Sequence, residues 1–120
     1  ADEGITVVSI AVGQGLHLKS ACSLVDAQTL VFAPGVLGDV ALASFRAAGL
    51  ELVAAIEPAG ANVLALGDVV LASAAAPETA RVLRARGHDV RSVDVGQMHV
   101  ADGALTCLSL RVPSPGAWCT

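Results

Sequence analysis

The sequence contains one pattern twice, at an offset of about 40 residues. In each copy, two short apolar segments flank a turn that carries Asp26 or Asp68. An amphipathic segment follows, and a glycine, Gly49 or Gly87, separates it from a third apolar segment. The repeat predicts an α/β domain built from two units of strand, strand, helix and strand. Pattern alone leaves two architectures open, part of an α/β propeller and an open α/β sandwich.

The same local rules predict where the elements begin and end. Alternation, β-branched residues and turn residues predict the strands, whereas apolar residues at helical spacing predict the helices. The region 1–112 is predicted to form the folded domain, and 113–120 to form a flexible tail. The predicted strands are 5–12, 21–25, 29–33, 50–56, 62–66, 69–72, 89–95 and 105–112, and the predicted helices are 36–48 and 77–86.

Composition narrows the classes of protein that the chain can belong to. The 120 residues suit a single core, and the apolar 54 % is mostly Ala, Val and Leu with very few aromatics. Charged residues, Gly and Pro interrupt every apolar stretch, so no membrane-spanning helix is predicted. The net charge is −4 and the one cluster of basic residues is Arg81, Arg84 and Arg86, so a nucleic-acid partner is not predicted.

The cysteines and the first residues favour a reducing compartment. Cys22, Cys107 and Cys119 are odd in number and lack CxxC spacing, which disfavours a disulfide framework and a structural zinc site. The acidic residues 1–4 lead directly into an apolar segment and do not resemble a secretory signal. We therefore expect a cytoplasmic protein without a metal or another cofactor.

Two residues stand where a side chain could reach a cleft. His17 follows a glycine-rich turn after the first predicted strand, and Cys107 lies just inside the last predicted strand, after an Asp-Gly turn. Taken singly, each has an ordinary structural explanation, a surface or hydrogen-bonded histidine and a small buried apolar residue. For the other histidines and cysteines we predict only such structural explanations. His88 and His99 are expected to be solvated, Cys22 to lie in the core and Cys119 to be an exposed thiol.

Four motifs stand in order along the chain: His17 to Ser20, Ala61-Asn62, Pro77 to Thr79, and Asp102 to Cys107 followed by Leu108 to Arg111. Taken together, they resemble the dimethylarginine dimethylaminohydrolase family, specifically its C-terminal half. The likeness extends from about Ile5 to Arg111, and arginine deiminases of the same guanidine-modifying superfamily differ in having Asp where this chain has Lys19. The resemblance implies a pentein-type propeller of about five strand, strand, helix and strand units, of which this chain would supply two with flanking strands.

The resemblance also implies an activity. Cys107 would be the nucleophile that attacks the guanidinium carbon of an Nω-methylated arginine, and His17 would be the acid/base that acts on the amine and then on water, giving citrulline. Asp102 would help to position the substrate. The family's third catalytic carboxylate and substrate-binding residues come from an N-terminal half that nothing here matches, so a complementary half or a second copy of the chain is expected. The alternatives are a non-catalytic binding or assembly module and an arginine deiminase-like hydrolase.

Overall fold

Two three-stranded sheets of the same design account for the repeat. In the computed structural model, which describes residues 4–13, 17–101 and 103–112, the first sheet has the order β1-β2-β3 and the second β4-β5-β6. In each sheet the first pair is antiparallel and the second is parallel. The strands are β1 Cys22–Leu24, β2 Thr29–Phe32, β3 Glu51–Ala54, β4 Leu64–Leu66, β5 Val69–Ser73 and β6 Asp89–Val93; the α-helices are α1 Leu18–Ala21, α2 Asp39–Ala47, α3 Pro77–Ala85 and α4 Gly96–Val100, and Pro58–Ala61 forms a 3₁₀ helix.

The two units therefore match the predicted repeat element by element. A hairpin forms the first two strands of each, and a helix crosses over to the parallel third strand, the connection that parallel pairing requires. The glycines after α2 and α3 adopt positive φ, 88° at Gly49 and 98° at Gly87, which lets the chain reverse at the end of each helix. The prediction of two strand, strand, helix and strand units is confirmed.

The first hairpin turn is held by the side chain of Asp26. The backbone N–H of Gln28 donates to Asp26 Oδ1 at 2.8 Å, and this bond is the main reason that the pKa of the Asp26 carboxyl is lowered. The second turn uses Gly67, whose φ is 60°, next to Asp68. The aspartates that marked the repeat in the sequence thus lie at equivalent hairpins.

Helix α2 begins at Asp39, three residues later than the predicted Val36. Residues 34–36 form a turn in which Gly35 has φ 84°, and Leu37 makes an isolated antiparallel bridge to Val12. A helix cannot start before the chain leaves that bridge. The apolar spacing that predicted helix from Val36 instead places Leu37 in the core.

A core of small apolar side chains spans both units. Leu83 and Val31 are among its fully buried members, and Leu83 comes from α3 whereas Val31 comes from the first sheet. Packing of this kind brings backbones close together because few large side chains separate them. The buried residues of the cluster are Val25, Val31, Ala33, Val53, Ala55, Ala61, Val63, Val70, Ala72, Ala80, Leu83 and Val90.

Helix α3 is capped by a side chain from the preceding unit. Its own N-cap residue, Ala76, offers no side-chain acceptor. The carboxylate of Glu57 instead accepts the backbone N–H of Glu78 at 2.8 Å and the hydroxyl of Thr79 at 3.1 Å. The Thr79 hydroxyl oxygen accepts the backbone N–H of Ile56 at 2.9 Å. A negative charge at the N-terminus of α3 is also favourable for the helix dipole, so the contact stabilises both segments.

A second contact joins β1 to the segment that runs from the 3₁₀ helix to β4. Ser23 in β1 donates its hydroxyl to the carbonyl of Ala61 at 2.6 Å and accepts the backbone N–H of Val63 at 2.9 Å. On its other side, the 3₁₀ helix can lie close to α3 because it has Gly60 there. A Cβ atom at position 60 would lie 2.6 Å from Thr79 Cβ. The 3₁₀ helix is therefore held between β1 and α3.

The two flanking segments differ from the prediction. Residues 5–12 form no strand beyond the single bridge at Val12, and Ile5 and Val7 are exposed. In 105–112, residues 105–108 form a turn and the following residues are not paired; Leu110 and Val112 are 89 % and 79 % exposed. A strand needs a neighbour for its backbone groups, and the described residues supply none at these positions. The predicted tail, 113–120, lies outside the described residues.

Candidate active site

His17 lies in the turn that leads into the first helix. Its backbone is extended, with φ −142° and ψ 151°, and its carbonyl accepts the N–H of Ser20 at 3.0 Å. The bond opens α1, a single turn that ends where β1 begins. Two residues of the predicted turn 13–15, Gln14 and Gly15, lie outside the described residues, as does Leu16. The imidazole of His17 is exposed, as a group that meets a substrate must be.

Cys107 is also exposed, but it lies in a turn and not in the predicted strand. The turn comprises residues 105–108, and the hydroxyl of Ser109 donates to the carbonyl of Leu105 at 2.8 Å across it. The thiol is therefore accessible to solvent from this turn. Asp102, the third residue singled out in the sequence, lies outside the described residues.

Asn62 ties the segments of His17 and Cys107 to one point. Its amide nitrogen donates to the carbonyl of Lys19 at 2.8 Å and to the hydroxyl of Thr106 at 2.7 Å, and its Oδ1 accepts the N–H of Thr106 at 3.3 Å. Lys19 is two residues from His17, and Thr106 precedes Cys107. Asn62 is only 5 % exposed, so its bonds form away from competing water. One buried amide thus holds both candidate catalytic segments next to β4.

The contribution of Asn62 follows from its environment and not from sequence spacing. In the sequence, Asn62 was noted only as part of Ala61-Asn62, one of the four motifs that resemble the family. The indication available there was an amide directly before an apolar strand, a position at which a polar side chain is buried and must find partners. The partners themselves lie 43 and 44 residues away, at Lys19 and Thr106.

Cys22 has the environment of a core residue. It is 4 % exposed, and its Sγ lies 3.6 Å from the carbonyl of Leu18. Burial raises the pKa of the Cys22 thiol, so the thiolate is disfavoured there. The sequence-based expectation of a packing role is met, and Cys22 is unsuited to nucleophilic chemistry at neutral pH.

The contrast between these thiols predicts different alkylation rates. The test uses this chain together with the expected complementary half, called the complete assembly below. Brief iodoacetamide treatment at neutral pH should label Cys107 faster than Cys22 by on the order of tenfold or more. The reason is that the thiolate is the reacting species and must be accessible. A guanidinium ligand should slow labelling of Cys107 alone. Peptide mapping measures all three cysteines, with Cys119 as an internal reference. Equal rates at Cys107 and Cys22, or no protection by the ligand, would contradict a formed site.

The other two histidines are not solvated as the sequence suggested. His88 is half-buried, with Nε2 3.8 Å from Asp26 Oδ2. His99, in α4, is half-buried as well, and both of its ring nitrogens have hydrogen-bond partners, Ser73 Oγ and the carbonyl of Gly103. The prediction of solvated side chains was wrong because each histidine contacts another part of the chain, His88 the first hairpin and His99 the end of β5.

A groove of about 820 Å³ runs beside the two candidate segments. Leu18 and Thr106, the sequence neighbours of His17 and Cys107, line it together with Ser23 and Arg111. It is open to solvent on this chain. The segments that carry the candidate residues therefore border a space that small molecules or further polypeptide can enter.

The arginines of the basic cluster are occupied by partners in the chain. Arg84 donates from Nε and Nη2 to the carbonyl of Val90, at 3.1 and 2.8 Å. Arg81 pairs with Glu78, and Arg86 pairs with Glu51. These contacts lie within α3 or connect the helix and its C-terminal end to β6 and β3.

Within the described ranges 4–13, 17–101 and 103–112, no helix combines the length and the apolar character needed to cross a bilayer. The same residues contain no group of three or more His, Cys, Asp or Glu side chains arranged to hold a metal ion.

Known proteins resemble this chain in sequence and in structure. No protein-family model matches it. It is 34 % identical over 110 residues to the N(G),N(G)-dimethylarginine dimethylaminohydrolase of Streptomyces coelicolor, a match that covers 91 % of this chain and 40 % of that protein. The chain thus spans about two fifths of the length of this curated relative.

Solved structures agree with the sequence match. A dimethylarginine dimethylaminohydrolase from Pseudomonas aeruginosa, a cysteine-to-serine variant in complex with citrulline, superposes with a TM-score of 0.68 at 25 % identity, over 81 % of this chain and 37 % of that one. The inosamine-phosphate amidinotransferase of Streptomyces griseus gives 0.74 at 17 % identity, over 88 % and 35 %, which supports the fold alone. Over the part that it spans, the chain is therefore a homologue of the dimethylarginine dimethylaminohydrolase family and has the partial pentein-type fold of the guanidine-modifying superfamily.

Proposed function

We propose that this chain is the C-terminal part of a hydrolase that acts on the guanidinium group of Nω-methylated arginine. Cys107 is the nucleophile and His17 is the general acid and base. The observation that carries the proposal is the set of hydrogen bonds from buried Asn62 to the segments of both residues. Such a shared anchor fixes a nucleophile and its proton-transfer partner relative to each other, which a reaction through two covalent steps needs.

In the first step, the Cys107 thiolate attacks the guanidinium carbon and forms a C–S bond. The C–N bond to the methylated nitrogen then breaks, and protonated His17 gives its proton to that nitrogen, so that dimethylamine leaves as a neutral amine. A free thiol, with a pKa near 8.5, is only about 3 % thiolate at neutral pH, so a neighbouring cation is needed. The guanidinium of the substrate supplies that positive charge.

In the second step, water hydrolyses the amidino intermediate on Cys107. His17, now neutral, accepts a proton from the water as its oxygen bonds to the former guanidinium carbon. The C–S bond then breaks, the electron pair returns to sulfur, the hydroxyl proton passes to solvent, and the ureido product, citrulline, is released. The side chain of His17 is thus used in both steps, first as an acid and then as a base.

Residues outside this chain complete the pocket in the proposal. A guanidinium and an α-carboxylate need opposite charges around them, and the family supplies these groups from its N-terminal half. The supporting facts are that the chain spans 40 % of its curated relative and leaves Leu110 and Val112 almost fully exposed. A complementary N-terminal half, or a second copy of this chain, would cover those apolar side chains. Asp102 is proposed to help position the substrate amino group.

Complementation tests the proposal. The chain alone should associate or aggregate and should not hydrolyse methylarginine. Adding a polypeptide with the family's N-terminal half should give one compact species of near twice the mass, together with citrulline formation. Gel filtration with light scattering measures the mass, and a colorimetric citrulline assay measures activity. The matched control is the same assembly with Cys107→Ser, which should have the same mass and no activity.

The outcomes distinguish the alternatives. Hydrolysis of free arginine in preference to methylarginine would favour an arginine deiminase-like enzyme, and a compact assembly that is inert with both would favour a binding or assembly module. A stable, fully active monomer of these 120 residues would overturn the proposed need for a second part.

A further inference from the structure

His99 links the end of β5 to the segment that leads to Cys107. Its Nε2 lies 2.9 Å from Ser73 Oγ, and its Nδ1 lies 3.1 Å from the carbonyl oxygen of Gly103. Ser73 is 2 % exposed and ends β5, whereas Gly103 begins the segment 103–107. The imidazole therefore connects a rigid strand to a loop that carries a candidate catalytic group.

Hydrogen-bond chemistry fixes the direction of each contact. The Gly103 carbonyl can only accept, so Nδ1 carries the hydrogen and donates it. In the neutral ring Nε2 is then the acceptor, and the Ser73 hydroxyl donates to it. The Ser73 oxygen in turn accepts the backbone N–H of Ala75 at 3.1 Å. The three bonds form an oriented chain that uses every side-chain polar atom of His99 and Ser73.

Gly103 is held by α4 through more than the imidazole. Its N–H donates to the carbonyl of Met98 at 2.7 Å. A Cβ atom at Gly103 would lie 3.1 Å from that carbonyl oxygen and 3.2 Å from Leu108 Cδ1, so little space remains around it. The Gly103 carbonyl, which His99 binds, belongs to the peptide bond that leads on to Ala104 and, three residues later, to Cys107.

We infer that His99 is a positioning residue for Cys107, an inference that rests on the proposed function. The segment before the thiol is fixed at Gly103 by His99 and at Thr106 by Asn62. Loss of the His99 contact leaves Gly103 held by its N–H bond to Met98 alone, and so loosens one end of the four-residue span 103–106 while the Asn62 contacts at the other end remain. Small displacements of a nucleophile reduce turnover without a comparable change in substrate binding.

Two substitutions separate the contacts of His99. In His99→Asn the amide nitrogen takes the place of Nδ1, so the bond to Gly103 survives and the bond to Ser73 is lost. In His99→Gln the amide lies near the position of Nε2, so the opposite bond survives. Gln97→Ala, on the exposed side of the same helix, is the control.

In the complete assembly, His99→Gln should lower kcat about tenfold with KM within about twofold of wild type, the loss expected from one hydrogen bond that orients a reacting group. His99→Asn should retain kcat within about threefold, and Gln97→Ala should match wild type. The rate of Cys107 alkylation and the amide exchange of residues 103–107 should change with His99→Gln and remain near wild type in His99→Asn.

The alkylation and exchange measurements keep this inference separate from the proposed activity. If the wild-type assembly does not hydrolyse methylarginine, the proposed function fails, yet a selective change in 103–107 with His99→Gln still supports the positioning role. Equal kcat, alkylation and exchange in the Asn and Gln variants would overturn it. The inference would also be overturned if amide exchange increased throughout α4 and β5 with no change in the alkylation rate of Cys107, because that result indicates a histidine with only a structural role.

Discussion

Replacing His17 by alanine should lower steady-state turnover of methylarginine in the complete assembly by about 10²- to 10⁴-fold, the usual contribution of a positioned general acid and base. Formation of the covalent intermediate should suffer less than its breakdown. The cationic substrate itself promotes the thiolate, whereas water has no other assigned base. The intermediate on Cys107 should therefore accumulate.

Mass spectrometry of quenched reactions measures that accumulation as an added amidino group on the peptide that contains Cys107. His88→Ala is a suitable control, because His88 is half-buried beside Asp26 and belongs to the first hairpin contact instead of the candidate site. The control should show wild-type turnover and no accumulation. Wild-type turnover in His17→Ala would remove the imidazole from the mechanism.

Replacing Asn62 by leucine should have the second largest effect. The substitution keeps the size of the side chain but removes three hydrogen bonds, and it leaves the carbonyl of Lys19 and the groups of Thr106 without their buried partner. We expect a loss of about 2–3 kcal/mol in the free energy of unfolding, at about 1 kcal/mol for each bond. Turnover should fall by about 100-fold, because both candidate catalytic segments lose their shared anchor.

Thr106→Val separates the two consequences. It removes only the hydroxyl partner of Asn62 and keeps the backbone bond from Thr106, so stability should fall by about 1 kcal/mol and turnover by about tenfold or less. Denaturant unfolding measures the first quantity, and the citrulline assay at a temperature well below both midpoints measures the second. An Asn62→Leu assembly that is less stable but turns over at the wild-type rate would show that the amide is only structural.

The repeat could be predicted from the sequence because its causes are local. Hairpin turns at Asp26 and Gly67, and helix ends at Gly49 and Gly87, are determined by a few neighbouring residues. Strands 5–12 and 105–112 could not be predicted correctly in the same way. Whether an apolar segment becomes a strand depends on a pairing partner, and the described chain offers none there.

The candidate residues His17 and Cys107 came from motifs, but the contacts that organise them did not. The bonds of Asn62 cross 43 and 44 residues, and that of His99 to Ser73 crosses 26. No rule of residue spacing predicts that polar side chains so far apart in the sequence will pair. The turn geometry of Cys107 was missed for a related reason, since the alternating segment 105–112 satisfies a strand pattern that its surroundings do not support.

The cap that Glu57 places on α3 has a consequence for how such proteins can diversify. Each unit looks like a module that recombination could exchange, but the N-terminus of α3 depends on a carboxylate encoded before the second unit begins. A crossover between positions 57 and 79 brings together a cap and a helix that were selected apart. Recombination should therefore give a folded protein more often when Glu57 and Thr79 come from the same parent. The segment that must be inherited together is thus longer than one structural repeat.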